Sequence, residues 1–192
     1  MRLVLATRND HKVAELARLM PGVALDALPA GVVLPPEGEE SYEANALGKA
    51  RAAAAALGRA AIADDSGIEA AALGGAPGVR SARFGGPAAT DEQNLARLRG
   101  AAPAGSALRY VCVMAYAAPG GEERAFTGAC AGTLAAVARG SGGFGYDPAF
   151  VPADLGDGRT MAELDPAEKD AISHRGRAAR ALLAWLLAER PA

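Results

Sequence analysis

The sequence predicts an α/β fold in a single domain, residues 1–192, and three observations carry that expectation. Short runs rich in Val, Leu, Ile and Ala alternate along the chain with longer stretches whose apolar residues recur at helical spacing. Gly and Pro punctuate the junctions. With 51% apolar and 5% aromatic content, the 192 residues suffice to bury a full core, with room for two lobes.

Arg2 to Thr7 reads as the first strand and Asp10 to Met20 as the first helix, its buried face formed by Val13, Leu16, Ala17 and Met20 and its end set by Pro21-Gly22. The junction Thr7-Arg8-Asn9-Asp10-His11-Lys12 places a hydroxyl, an amide and an ammonium at a helix N-terminus directly after a strand. Free backbone N–H groups and the positive end of the helix dipole suit a phosphate there, and Lys12 adds a full charge. The spacing of a Walker loop is absent. The same segment also suits an ordinary turn capped by Asn9 or Asp10.

A second strand follows near Val23 to Leu28, then an acidic, proline-containing loop, Leu34 to Glu40. Ser41 caps a helix that runs to Gly58 with Leu47, Ala50, Ala54 and Leu57 on its buried stripe. Asn45 and Lys49 lie one turn apart on one side. Glu37, Glu39, Glu40 and Glu43 offer oxygen ligands to a metal shared with Asp65, although most acids in such a run are solvated.

The central stretch is Ala61 to Phe84. Its apolar run ends in Asp64-Asp65-Ser66-Gly67, which reads as a buried strand delivering two carboxylates to a turn at its C-terminal edge. Adjacent aspartates repel unless a cation or proton lies between them, so the pair points to Mg²⁺ or to a split acid/base role. Gly67, Gly74, Gly75 and Gly78 with Pro77 allow tight turns and close backbone approach to a ligand. The bland alternative is a loop that begins with solvated acids.

Thr90 with Gln93 forms a capping box for a helix through Arg99. Leu108–Ala117 and Arg124–Ala131 read as strands around a Gly120-Gly121 hairpin turn, and Thr133–Val137 as a further strand. The loop Gly142-Gly143-Phe144-Gly145-Tyr146-Asp147-Pro148 either brings an aromatic face to a flat ligand or is a structural turn with an aromatic plug. Asp165-Pro166 with Glu168 starts a short helix, and Ser173 starts a long one through Arg190 with Ala179, Leu182, Leu183, Leu186 and Leu187 facing the core. His174 and Arg175 oppose the dipole at that start unless an anion or acceptor-rich group binds there.

Composition narrows the function. A net charge of −2 argues against a general nucleic-acid or anionic-membrane binder. No window approaches the roughly 18 apolar residues of a membrane span, and no signal-peptide core is seen, so a cytoplasmic protein is expected. Cys112 and Cys130 lie in strand-like text without zinc or redox spacing and read as buried thiols. Of 20 basic residues 17 are arginine, and the lysines Lys12, Lys49 and Lys169 all fall in the segments singled out above. A compact point charge on a flexible stem is what they have in common.

These segments resemble, in order and nearly end to end, the motifs of the inosine triphosphate pyrophosphatase family. The matching text is Thr7-Arg8-Asn9-x-x-Lys12, Ser41-Tyr42-x-x-Asn45-Ala46-x-x-Lys49-Ala50, Ala63-Asp64-Asp65-Ser66-Gly67, Gly74-Gly75-Ala76-Pro77-Gly78-Val79-x-Ser81-Ala82-Arg83, the Gly142–Pro148 loop, and Glu168-Lys169-x-x-Ile172-Ser173-His174-Arg175-Gly176. The resemblance implies an elongated, two-lobed fold with a central mixed β-sheet flanked by helices, an active cleft between the lobes, and a homodimer. It also implies Mg²⁺-dependent hydrolysis of ITP, dITP, XTP and dXTP to monophosphate and pyrophosphate, which cleanses the nucleotide pool. By the resemblance Asp65 is the proton acceptor and a metal contact, with Asp64 supporting it. Thr7, Arg8, Asn9, Asp10, His11, Lys12 and Lys49 would hold the phosphates, with Lys169 close to the nucleotide. Ser66, Phe144, Gly145, Tyr146, Asp147, His174 and Arg175 would frame the base. Two positions depart from the family pattern: Arg8 stands where the family has glycine, and Pro36 replaces the first member of an acidic pair whose second member, a metal ligand, is matched by Glu37. Related alternatives are a Maf-like nucleotide pyrophosphatase and a non-catalytic nucleotide-binding module.

Overall fold

Strand β1 (Arg2–Leu5) pairs in parallel with β2 (Ala24–Ala27) and with β3 (Ala61–Ala70) in the computed structural model, which describes residues 1–189. With β4 (Ala107–Ala117), β5 (Glu123–Leu134) and β6 (Phe150–Pro152) they form a six-stranded sheet of order β2-β1-β3-β4-β5-β6. The β5–β6 pair is antiparallel, so the sheet is mixed. Its helices are α1 (Asp10–Leu19), α2 (Tyr42–Leu57), α3 (Asp91–Ala101), α4 (Pro166–Ile172) and α5 (His174–Glu189).

Two compact units divide the chain. One comprises Met1–Asp65, Cys112–Gly128 and the stretch from Arg175 onward, and the other Ser66–Val111 and Ala129–His174. Strands β3, β4 and β5 each carry the chain from one unit into the other.

In the first unit the period-two alternation of strands sorts side chains onto two faces. Leu3, Leu5, Ile62, Met114 and Tyr116 pack with Leu16, Leu19 and Met20 from the α1 end and Ala178, Ala179, Leu182 and Leu186 of α5. Their chain neighbours Val4, Ala61, Ala63, Val113 and Ala115 pack with Ala46, Ala50, Ala53 and Ala54 of α2. Helices therefore cover both faces. The second unit has its own core, in which Ile68, Leu98, Leu108, Tyr110, Leu134, Phe150 and Met161 meet. Truncating a fully buried leucine such as Leu182 or Leu98 to alanine costs about 2–5 kcal/mol in cores of this kind.

Helix ends follow the local chemistry of the sequence. Asn9 Oδ1 accepts from Lys12 N, Ser41 Oγ accepts from Ala44 N, and Gly58 closes α2 at φ 60°. Thr90 with Gln93 and Asp165 with Glu168 form complete capping boxes, the latter with Pro166 at the first helical position.

Several expectations are corrected. Strand β3 does not end at the acidic pair but runs on to Ala70, so Asp64 and Asp65 lie in mid-strand. The stripe of α1 is rotated: Val13 and Ala17 are exposed, whereas Glu15 and Leu19 join Leu16 and Met20 inside. On α2, Leu47 and Leu57 are only half-buried and the alanines make the contact, which small side chains allow at close range. Leu187 of α5 is 67% exposed, Thr133 and Leu134 belong to β5 and are not a separate strand, and Arg190 lies outside the described residues.

Candidate active site

Because β3 continues through Asp64 and Asp65, alternation sends their carboxylates to opposite faces of the sheet. Asp65 meets α2: Asn45 Nδ2 donates to Asp65 Oδ2 at 2.8 Å, and Lys49 Nζ lies 3.9 Å from Asp65 Oδ1. The same ammonium donates to Glu37 Oε1 at 2.5 Å. Asn45 also fastens the acidic loop, accepting from Gly38 N at 2.8 Å and donating to Gly38 O at 3.2 Å. Thus Asn45 and Lys49, one helical turn apart, tie Asp65 and the Glu37 loop to one helix face.

Burial raises the pKa of Asp65; the Lys49 charge opposes this, and the charge of Glu37 adds to it. Glu37 goes the other way, since Lys49 outweighs its own partial burial. Lys49 is buried too, which disfavours its charge, but Asp64, Glu37 and Asp65 together hold its pKa above the ordinary lysine value. The result is a desolvated base beside a fixed ammonium.

On the opposite face Asp64 is fully buried. Lys12 Nζ lies 3.0 Å from Asp64 Oδ2, and Arg175 Nε and Nη2 each donate to that oxygen at 3.3 Å. Arg175 Nη1 donates to Glu15 Oε2 at 2.5 Å. Burial pushes the Asp64 pKa up, but Lys12 and Arg175 outweigh it and hold the carboxyl well below the usual range. Cys112 lies on this face, its thiol pushed up to about 12 by burial and by Asp64.

The anion expected at the start of α5 is therefore internal. Arg175, only 2% exposed, is held by Asp64 and Glu15.

The first loop is ordered by its own atoms. Asn9 N donates to Thr7 Oγ1 at 3.2 Å, and Asn9 caps α1 through Lys12 N. Asp10 and His11 are exposed in the first turn of that helix. Arg8 turns toward the segment after β2, where its Nη2 donates to Val32 O at 2.7 Å and Ala30 O at 3.2 Å, with Pro29 O at 3.5 Å. Its bulk is accommodated by a loop clamp.

The second unit gathers the glycine loop. Asp147 is buried and accepts from Lys169 Nζ at 2.7 Å and Phe144 N at 3.0 Å on Oδ2, and from Tyr110 OH at 3.0 Å on Oδ1. A side chain at Gly143, where φ is 69°, would collide with that carboxylate, so only glycine lets the chain pass Asp147 there. Lys169 Nζ stands 5.3 Å from the centroid of the half-buried Phe144 ring. Gly145 N donates to Asp91 Oδ2 at 2.9 Å, which ties the loop to α3. Tyr146 is an anchor, not an open stacking face: it is 6% exposed and its hydroxyl donates to Ser81 O at 2.8 Å. His174 stacks on Tyr110 at 4.4 Å between centroids and 6° between planes. Ser66 is half-buried on β3.

Gly74 and Gly75, at φ values of 62° and 94°, lie in the left-handed region that favours glycine. The turn they open ends at Ser81, whose Oγ accepts from Ile68 N at 2.8 Å and donates to Gly78 O at 2.6 Å.

Asp65 and Glu37 give a hard divalent cation two carboxylates. Mg²⁺ is usually held by one or two carboxylates, with phosphate oxygens and water filling the rest of its shell. No group of three or more His, Cys, Asp or Glu side chains suited to a metal occurs among the described residues. The pair fits a cation that arrives with phosphate, and the raised pKa of Asp65 marks a carboxylate whose charge a cation would favour.

Sequence reasoning missed Glu15 and Tyr110. Glu15 had a local signal, an acid three positions after Lys12 beside the apolar Leu16. Tyr110 had none, since its partner Asp147 is 37 residues away.

A sequence model of the Ham1 family matches residues 3–185. The dITP/XTP pyrophosphatase of Mycobacterium bovis is 47% identical over 200 residues, covering 95% of this chain and 93% of that protein. The Staphylococcus aureus Ham1 protein superposes with a TM-score of 0.84 at 34% identity, covering 99% of this chain and 100% of that one. The nucleoside-triphosphatase, or dITP/XTP pyrophosphatase, of Mycobacterium abscessus gives 0.72 at 44% identity over 95% of this chain and 99% of that one. The chain thus belongs to the Ham1 family, the inosine triphosphate pyrophosphatase family that its ordered motifs resemble.

Proposed function

We propose that this protein is a nucleoside-triphosphate pyrophosphatase that hydrolyses ITP, dITP, XTP and dXTP, with Mg²⁺, to the monophosphate and pyrophosphate. The observation that carries the reading is Asp65, a buried carboxylate with a raised pKa, oriented by Asn45 and faced by Lys49 and Glu37. Such a group is a stronger base than a solvated aspartate and sits beside a cation suited to phosphate. The names of relatives at 45–47% identity over more than nine-tenths of the chain support the substrate class.

In this reading Asp65 accepts the proton of the water that adds across the α–β phosphoanhydride. Mg²⁺, bound through Asp65 and Glu37, would supply positive charge to the phosphate oxygens. Lys12 and Lys49 hold the phosphate chain, with the backbone N–H groups of Thr7 to Lys12 at the start of α1. Asp64 supports by position, holding Lys12 and Arg175 from the other face. Arg175 is assigned to that network in place of a base contact. Phe144 offers a face to the base, Lys169 and His174 lie near it, and Gly145, Tyr146 and Asp147 shape the loop. Donors aimed at a 6-oxo acceptor suit hypoxanthine and xanthine, whereas the 6-amino group of adenine presents another donor. The two units act as one domain in a cytoplasmic homodimer.

The test is product analysis. The purified protein with Mg²⁺ is given ITP, XTP, dITP, ATP, GTP, CTP and UTP. Inosine and xanthosine monophosphates with pyrophosphate are expected. Turnover confined to pyrimidine or modified nucleotides indicates the Maf-like alternative, and binding without turnover indicates a non-catalytic module.

A further inference from the structure

Among the described residues three donors meet the Asp147 carboxylate, and one of them lies in no motif of the family resemblance. Tyr110, on β4, is 6% exposed. Its hydroxyl donates to Asp147 Oδ1 at 3.0 Å, while Lys169 Nζ and Phe144 N take Oδ2 at 2.7 and 3.0 Å. The ring of the same tyrosine lies flat on His174, with centroids 4.4 Å apart and planes 6° from parallel, and tilts against Phe150 at 4.5 Å. One rigid side chain thus touches both sequence segments assigned to the base, the glycine loop and the first residue of α5.

We infer that Tyr110 is a positioning residue for base recognition. Its hydroxyl fixes the rotation of the Asp147 carboxylate, and its ring fixes the plane of His174. The inference rests on the triphosphate reading above. The physical reason is that a carboxylate can turn about its last bond. With only Oδ2 engaged, the Asp147 group pivots on Lys169 and Phe144 N; with Oδ1 also engaged, it does not. Lys169 and Phe144 inherit that fixed geometry because both bond to the same oxygen, and the ammonium stays above the Phe144 ring. Binding sites lose selectivity when the groups behind them are loosened, even if every contacting group is kept. A tyrosine hydroxyl buried among apolar residues also needs an acceptor, and Asp147 supplies it.

The test is Tyr110→Phe, which keeps the ring and the stack and deletes one hydroxyl. KM for ITP is expected to rise about tenfold, with kcat within about twofold of wild type and the ITP-to-ATP ratio of kcat/KM lowered. Inhibition by pyrophosphate, which carries no base, should stay unchanged. Tyr110→Leu also removes the stack on His174 and should raise KM further. Asp147→Asn combined with Tyr110→Phe should be little worse than Asp147→Asn alone, since both act through one carboxylate. If Asp147→Asn does not fold, amide exchange at Phe144 in Tyr110→Phe replaces the cycle, and faster exchange is expected. An unchanged KM, a parallel loss of pyrophosphate inhibition, additive double-variant losses or unchanged exchange overturns the inference. Wild-type enzyme that turns over neither ITP nor XTP overturns the functional reading, and the inference falls with it. Wild-type turnover with an unaltered Tyr110→Phe variant overturns the inference alone.

Discussion

Asp64 and Asp65 are joined by one peptide bond and serve opposite faces of the sheet: Asp64 Oδ2 binds Lys12 and Arg175, and Asp65 Oδ2 binds Asn45. Their pKa values move in opposite directions for that reason. Burial and Glu37 raise that of Asp65, and Lys12 and Arg175 depress that of Asp64 against its burial. A group whose pKa is depressed on folding contributes stability above its unfolded pKa, and one whose pKa is raised loses that contribution as pH rises through the folded value.

The consequence is a pair of variants with opposite stability effects at neutral pH. Asp64→Asn should destabilise the metal-free protein by about 3–5 kcal/mol, because Arg175 and Lys12 lose a buried countercharge. Asp65→Asn should abolish turnover and leave Tm unchanged or raised, because a desolvated charge is removed. Thermal melts at pH 7 with a turnover assay check both. An Asp65→Asn enzyme within about tenfold of wild type, a change near 1.4 kcal/mol in barrier, would end the general-base assignment.

Lys12 bears on phosphate rather than on base. Lys12→Met should weaken inhibition by pyrophosphate by at least about tenfold, and triphosphate binding similarly, with monophosphate affected far less. Because Asp64 keeps Arg175, the fold should survive. Competitive inhibition constants for the three ligands are the measurement, and equal weakening of all three places Lys12 away from the β and γ phosphates.

The element order was legible because strand and helix periods and caps are local properties. Asn9, Ser41, Thr90 and Asp165 cap the helices that the text predicts. What escaped was set by partners distant in sequence. A strand that ends in Asp-Asp-Ser-Gly looks finished, since solvated acids usually mark a turn. In this protein β3 carries them inside because Lys12, Arg175, Lys49 and Asn45 are waiting there, from α1, α5 and α2. Similarly, the glycine loop suited either an aromatic face for a flat ligand or an aromatic plug, and the long-range partner Ser81 shows that Tyr146 is anchored. The lysine pattern was the better guide, because each of the three lysines is paired to a carboxylate in one of the site clusters.

Arg8 is the position at which the chain departs from the family's glycine, and its guanidinium clamps the carbonyls of residues 30 and 32. Arg8→Gly should therefore loosen the segment after β2, with little direct effect on phosphate. Amide exchange at Val32, whose N–H donates to Pro29 O at 3.1 Å, should accelerate. The KM for triphosphate should stay within about threefold. A large KM change with unaltered exchange would show instead that Arg8 reaches the phosphates.

Arg175 decides between two accounts of the start of α5. As a base contact it would donate to a 6-oxo purine and meet another donor in a 6-amino purine, so Arg175→Ala would lower the ITP-to-ATP ratio of kcat/KM by about tenfold, near 1.4 kcal/mol. As the partner of Asp64 and Glu15 it acts on both substrates alike, by holding the carboxylate that positions Lys12. The guanidinium is 2% exposed, with Nη1 on Glu15 and both Nε and Nη2 on Asp64, so the second account is expected. Arg175→Ala leaves two buried carboxylates short of a cation and should lower Tm sharply. It should reduce kcat/KM for ITP and ATP by similar factors, and a Glu15→Gln variant should reproduce a weaker form of the same pattern. Arg175→Lys should recover only part of the loss, because one ammonium cannot span two carboxylates as the planar guanidinium does. The two kcat/KM values measured side by side, with melting curves for folding, give the answer: a ratio that falls tenfold in a well-folded variant returns Arg175 to the base, and an unchanged ratio keeps it with Asp64.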